Sequence, residues 1–388
     1  MDRRQFLGSS VGGAAAAATL SPSLKADDEN RPRVFHVWAM GCSHVGTDKR
    51  VGKRESLAEA IRHSESGGNQ DGPPFDWDIA VHLGDLSGTQ TTPDDEEGRE
   101  VVRQFAAAKK HRREDFYNIA GNHDASGPDE LSMGWFQKWV DPDGKHPEFS
   151  GVDPKRRRFP IDGTWERYSF RVGNLLFLMM SDRNDGGPPV GRGKRGGYPA
   201  GAVTGDTFDW WKQNVESNPD SIIVSAHHHM LKETTFASGE FEGFKKLANG
   251  KFRSYYHGYF PQGGPKGASY LYFVKRKPDA QAFEHYLTAH ENAIDLWLGG
   301  HTHSHPDDDK GGRTHIERKW GINFVNCAAL AKHHARLTTL PMSRLFTFTE
   351  GSSKVRVQCY LHTSDHAPQG WYAKAERTLK LGKKFQLG

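Results

Sequence analysis

The stretch Phe116-Tyr117-Asn118-Ile119-Ala120-Gly121-Asn122-His123-Asp124 decides how this chain is read. Its first five residues are short and apolar enough for a buried strand. The glycine that ends them lets the backbone turn sharply and present three polar side chains where the strand stops. The same pattern recurs along the chain. Residues 34–40 run into Gly41-Cys42-Ser43-His44, residues 79–83 into Gly84-Asp85, residues 222–226 into His227-His228-His229, and residues 294–298 into Gly299-Gly300-His301-Thr302-His303. One histidine beside a strand is an ordinary core or surface residue. Five strand ends that each supply His, Asp or Asn form a cluster, and strand ends are where α/β sheets build their sites.

Outward from these stretches, further strands are expected at 175–180 and 322–326, with a hairpin through 345–349 and 355–361. Helical patterns fall between them at 55–63, 96–110, 128–139, 206–215 and 280–290, several opened by the Asp, Ser or Pro that helix starts favour. The alternation indicates an α/β domain. Long Gly- and Pro-rich loops cover 141–163 and 184–205, and the basic run Lys155-Arg156-Arg157-Arg158 in the first reads as a solvated charge run. There is no internal repeat, and no long polar linker interrupts the strand series, so one catalytic domain is expected over 27–388.

The residue types at the strand ends explain one another chemically. Neutral imidazole and carboxylate suit Zn, Fe or Mn, and a shared carboxylate can bridge two cations about 3.5–4 Å apart. Two such cations generate hydroxide near neutral pH and clamp phosphoryl oxygens, so attack on phosphorus needs no protein nucleophile.

The series Gly-Asp, Gly-Asn-His-Asp, a later His cluster and Gly-His-Thr-His resembles the calcineurin-like metallophosphoesterases, in order and spacing, from Val34 to about Leu361. The resemblance implies a four-layer α/β/β/α sandwich of two mixed sheets, the metallo-dependent phosphatase fold, and metal-dependent hydrolysis of a phosphate ester. It implies two divalent or trivalent ions, Zn, Fe or Mn: His44 and His303 on the first, Asp85 bridging, and Asn122, His227 and His301 on the second. His227 is taken from the triple because it is the first histidine after its strand, while His228 or His229 would touch substrate or solvent. His123 resembles the family's metal-free histidine, which stabilises transition-state charge or protonates the leaving group, with Asp124 orienting it.

Cys42 stands where the family has Asp, so the first ion lacks its usual terminal carboxylate. Three readings stay open: a thiolate ligand, which is the one adopted, a small bystander that leaves the first site weak, or a disulfide with Cys327. The second reading carries the alternative function, a catalytically weak or inactive metal- or phosphate-binding protein on the same scaffold. His315, His333, His334, His362 and His366 are background, while His305 lies close enough to the ligands to support them.

At the N-terminus, Arg3-Arg4-Gln5-Phe6-Leu7 before a weakly apolar Ala/Gly run resembles a twin-arginine export signal, which makes residues 1–26 a signal peptide cleaved after Ala26. The implied partner is the twin-arginine translocase, and the implied destination is periplasmic or extracellular in a bacterium. Three cations and one anion lie in that segment, so the formal +4 of the whole chain falls to +2 without it, which is no nucleic-acid footprint. With 35% hydrophobic and 26% charged residues the composition is globular, and no run is long enough for a membrane span. The cysteines Cys42, Cys327 and Cys359 are too few and odd in number for a disulfide framework. An insertion at about 230–290, carrying Tyr255, Tyr256, His257, Tyr259 and Phe260, is placed as a possible lid over a site for a phosphorylated small molecule or phosphodiester.

Overall fold

The computed structural model describes residues 32–48, 53–89, 92–124, 134–183, 200–239, 270–275, 281–303, 305–309, 312–332 and 339–388, with short strand backbones at 244–246, 252–254, 259–260, 264–265 and 277–278. Two sheets of seven strands each form the centre of the fold. In the first, the order is Gly370–Trp371, Lys354–Leu361, Met342–Thr349, Val34–Met40, Ile79–His82, Phe116–Asn118, and Arg377–Lys380 also pairs with Lys354–Leu361. In the second, it is Ile316–Lys319, Ile322–Asn326, Leu296–Gly299, Ile222–His227, Leu175–Met180, Arg167–Val172, Asp162–Gly163. The second sheet has a parallel centre and antiparallel flanks, whereas in the first the three parallel strands run out to the edge at Phe116–Asn118 and the other half is antiparallel, so both are mixed.

Strand alternation sorts the side chains into layers. Val37, Ala39, Val81 and Leu83 of the first sheet meet Phe177, Met179, Val224, Ala226, Leu296 and Leu298 of the second in one buried core between the sheets. The intervening residues Trp38, Met40 and Ala80 face outward onto Leu57, Ala60 and Ile61 of helix Ser56–Ser66 and Val101 and Phe105 of helix Asp95–Phe105. On the opposite side Leu176, Leu178, Ile223 and Trp297 pack on Trp211 of helix Gly205–Ser217 and Phe283 of helix Ala282–Ala289. The result is the α/β/β/α sandwich. Its helices start where capping chemistry allows: Asp94 accepts from the Glu97 amide and Thr204 from the Thr207 amide, each satisfying an N–H the helix itself cannot.

Most expected strands appear within a residue or two of their sequence limits. The structure adds Arg167–Val172 and Ile316–Lys319, whose mixture of charged and apolar residues hid them, since they flank the sheets with one face toward solvent. The helix expected at 96–110 stops at Phe105, and of the one expected at 128–139 the described residues hold Trp135–Trp139. The basic run is split. Lys155, Arg156 and Arg158 are exposed, but Arg157 is buried, donating to the carbonyls of Glu114 and Phe116 at 2.6 and 3.1 Å and of Pro142 at 2.9 Å. It ties carbonyls around the entry of strand Phe116–Asn118 to that of Pro142. The N-terminal signal, His333 and His334, the loop at 184–199 and most of the insertion's aromatic segment lie outside the described residues. No helix among the described residues is long and apolar enough to cross a membrane.

Phe177 sits in the core between the sheets, its ring stacked 4.5 Å from that of Phe170. Phe177→Ala is expected to lower stability by about 3–5 kcal/mol, measured as a lower denaturant midpoint at unchanged slope.

Candidate metal centre

The parallel strands of both sheets end at one edge, and the turns that follow them are bound to each other by their backbones. The Cys42 amide donates to the Gly84 carbonyl at 2.8 Å, His44 to Asp85 at 3.0 Å, Gly300 to His228 at 2.8 Å, and Leu330 to Gly41 at 3.0 Å. Four of the polar residues expected at this edge adopt the left-handed region: Cys42 at φ +49°, His44 at +40°, Asp85 at +57° and His301 at +66°. For side-chain-bearing residues each such conformation costs about 1–3 kcal/mol and persists only where surroundings enforce it. Close approach also explains two glycines. A Cβ on Gly121 would fall 2.3 Å from both the amide nitrogen and Oδ1 of Asp85, and Gly84, at φ +89°, abuts Gly121.

Asp85 lies at the centre. Its Oδ2 is 3.1 Å from Nε2 of His228 and 3.6 Å from Nε2 of His44, and its Oδ1 accepts the His123 amide at 2.8 Å. On one side the Nε2 atoms of His44 and His303 converge to 3.0 Å, and the nearest ligand atoms of Cys42, His44, Asp85 and His303 all lie within 4.8 Å of one another. On the other, Nδ1 of His301 is 3.2 Å from Nε2 of His228 and 3.0 Å from Oδ1 of Asn122. All eight of these residues are buried.

Among the three consecutive histidines it is therefore His228, not the expected His227, that meets Asp85 and His301, the latter in turn meeting Asn122. The reason is strand parity. Val224 and Ala226 face the core between the sheets, so His228 continues that face, whereas His227 continues the outward face of Ile223. His227 gathers instead with Asp182 and His229. Counting back along the alternation would have found His228 in the sequence; the first-histidine rule did not.

The imidazoles are oriented as metal ligands are. Nδ1 of His228 donates to the Leu83 carbonyl at 2.6 Å and Nδ1 of His44 to the Ser87 carbonyl at 3.0 Å, which leaves each Nε2 directed at the cluster. Burial alone would push the Asp85 carboxyl up, but the imidazoles, His228 foremost, outweigh it and hold it well below the usual carboxylate range. Burial opposes a charge on His228, yet the neighbouring Asp85 carboxylate prevails and raises it to about 9. Burial, reinforced by Asp85, pushes the Cys42 thiol well up, and its sulfur accepts the His301 amide at 3.3 Å. A carboxylate, imidazoles and a thiol so crowded fit a cation, which would relieve the desolvation of Asp85 and Cys42 together.

His123 stands edge-on to His44, ring centroids 4.7 Å apart, with Nδ1 donating to the Thr89 carbonyl at 2.6 Å. Asp124, expected to orient it, spends both oxygens elsewhere, accepting the Ser87 and Gly121 amides at 2.8 Å each. Burial, with Asp85 nearby, raises Asp124 to about 7. The three cysteines are buried free thiols, which removes the Cys42–Cys327 disulfide. His305 is not at the cluster; it pairs its ring with His366 at 4.0 Å beside Asp307, part-exposed. Of the suggested lid, Tyr255, Tyr256 and His257 lie outside the described residues.

The family model of calcineurin-like phosphoesterases matches residues 35–305 of this chain. A comparison with curated proteins finds no match. The structure of vacuolar protein sorting 29 from Cryptosporidium parvum is similar over 89% of this chain and 98% of its own, at 12% identity and a TM-score of 0.34, a value too low to carry an argument.

Because the raised His228 is protonated in the metal-free protein below about 9 and a ligand nitrogen must be neutral, a bound cation has to displace that proton. Affinity for Zn²⁺ is expected to climb with pH between 6.5 and 8.5, by up to about tenfold per unit for each proton displaced. Calorimetry in buffers of different ionisation enthalpy reads the proton release directly; an affinity independent of pH would contradict the arrangement.

Proposed function

Since the chain belongs to the calcineurin-like phosphoesterases, a family of metal-dependent phosphoester hydrolases, we propose that it hydrolyses a phosphate ester at two metal ions bridged by Asp85. The observation that carries this reading is the position of Asp85 between two groups of ligands, with His44 on one side and His228 on the other. Cys42, His44, Asp85 and His303 would hold the first ion, and Asp85, Asn122, His228 and His301 the second, with His228 in place of His227. Such ions, Zn, Fe or Mn by their donors, lower the pKa of water and neutralise phosphoryl oxygens.

The chain's own residues supply position and protons. His123 is the general acid for the leaving alkoxide; its Nδ1 donates to the Thr89 carbonyl, which fixes the plane of the ring beside His44. Thr89 is held in turn by Glu97, which accepts the Gly88 and Thr89 amides at 2.5 and 3.1 Å. Asp124 locks the Ser87 and Gly121 turns together and so fixes the backbone that carries Asn122 and His123. Both are positioning residues.

A second reading has its own observation: a thiol as deeply buried as Cys42 that stays protonated would hold no cation. The first ion would then be weak and turnover low, leaving a metal- or phosphate-binding protein. Export by the twin-arginine pathway to a periplasmic or extracellular location belongs to the same proposal, supported by the Arg3-Arg4 pair and its apolar sequel. Folding and metal loading would then precede transport.

The deciding experiment is purification from the cytoplasm, elemental analysis, and parallel assays with a chromogenic phosphomonoester and phosphodiester; bound metal without turnover on either favours the second reading. His123→Ala is expected to keep its metals and lose roughly 10²–10⁴ in rate, least for substrates with good leaving groups. Metal loss in that variant would make His123 a ligand. With Cys42 as a ligand, Cys42→Ser releases metal from the first site, while Cys42→Asp restores binding and shifts preference toward Mn²⁺. Unchanged first-site affinity in Cys42→Ser would make the thiol a bystander.

A further inference from the structure

Beside the Asp85-bridged centre lies a second group of buried ligands that the hydrolytic mechanism does not use. Asp182 follows strand Leu175–Met180, and His227 ends the adjacent parallel strand Ile222–His227, where it pairs with Met180. His229 completes the group. The ligand atoms of the three lie within 4.8 Å of one another, and Nδ1 of His229 is 2.8 Å from Oδ2 of Asp182. None of the three side chains reaches solvent.

We propose that Asp182, His227 and His229 form a third cation site, separate from the Asp85-bridged centre, that takes a divalent transition metal of the zinc type. Two atoms of the group carry the argument. Nε2 of His227 and Oδ1 of Asp182 are buried and have no hydrogen-bond partner among the described residues. A buried polar atom left in this state is costly, and one cation satisfies both at once. The carboxylate is already fixed in place: Oδ2 accepts the Gly201 amide at 2.8 Å, and the Asp182 amide donates to the Ala120 carbonyl at 2.9 Å. Nδ1 of His227 accepts the His229 amide at 3.0 Å and lies 3.3 Å from the His229 carbonyl, so a cation at Nε2 takes the place of the ring proton held there.

Two imidazoles and one carboxylate are the donor set of zinc and of non-haem iron, with open positions for water or another ligand, and not that of Ca²⁺ or Mg²⁺. Ligand atoms around tetrahedral zinc stand about 3.3 Å apart. The group therefore closes onto an ion by small side-chain rotations. Such an ion joins the ends of two neighbouring strands. The His229 ring also lies against that of His301, centroids 3.9 Å apart, so the site sets the plane of a ligand of the main centre.

Zinc content after saturation and removal of excess metal tests this on the full chain and three variants. Asp182→Asn and His227→Gln should each bind one ion fewer than the parent, while Asp85→Asn should lose ions from the main centre and keep this one. Unchanged zinc in Asp182→Asn and His227→Gln overturns the third site and leaves the bridged centre untouched. Full zinc in Asp85→Asn with one ion lost in the other two does the reverse: it sinks the bridged centre and supports the third site. Should Asp182→Asn fail to fold, His227→Gln decides alone. Loss of every ion from a folded His227→Gln would show that these residues merely support the main centre, and would overturn a separate site.

Discussion

A carboxylate buried without a counter-charge is among the least tolerable groups a protein can hold, and Asp85, almost wholly withdrawn from water, depends on the imidazoles gathered around it, His228 foremost. Everything at this edge of the sandwich is arranged around it. Partners come from both sheets: His44 follows strand Val34–Met40 of the first, and His228 follows strand Ile222–His227 of the second. They meet because the two sheets face each other over a shared core and their parallel strands end on the same side. Glycine at 121 is required for the same reason, since any side chain there would occupy the space of the Asp85 carboxylate. Left-handed turns at Cys42, His44, Asp85 and His301 are the local cost of bringing the side chains to one point.

Cys42 shows what that environment does to a residue of different chemistry. Burial and the Asp85 charge both favour the neutral thiol, so a thiolate at this position depends on a cation close by. A carboxylate would ionise far more readily in the same place. On the proposed reading, a cysteine at this position would make occupancy of the first site more dependent on the metal's affinity for sulfur, and would favour soft or borderline ions over hard ones.

Sequence reading reached the fold because the buried strands are short, largely apolar runs, as in 175–180, 222–226 and 294–298, several of them closed by glycine, as at Gly84, Gly121 and Gly299. It failed on Arg167–Val172 and Ile316–Lys319, where one face is wet and the apolar signal is diluted. It also read Lys155-Arg156-Arg157-Arg158 as one solvated run, although Arg157 turns inward to satisfy three carbonyls. Nothing in four consecutive basic residues distinguishes the one that is buried; only the carbonyls left open by the loop around it do.

At the site, the sequence by itself determined which residue types gather and at which strand ends, because Gly-Asp, Gly-Asn-His-Asp and Gly-His-Thr-His are local patterns tied to local turns. Tertiary structure alone decided how they are shared out. His227, His228 and His229 are equivalent as letters, but successive residues of a strand point to opposite faces. The face of His228 meets Asp85, while that of His227 meets Asp182 on the neighbouring strand. Likewise Asp124, next to His123 in sequence, is turned to the Ser87 and Gly121 amides, and the imidazole is oriented by Thr89, thirty-four positions away. Chain neighbours share a backbone but not a direction, and hydrogen bonds and metal ligation depend on direction.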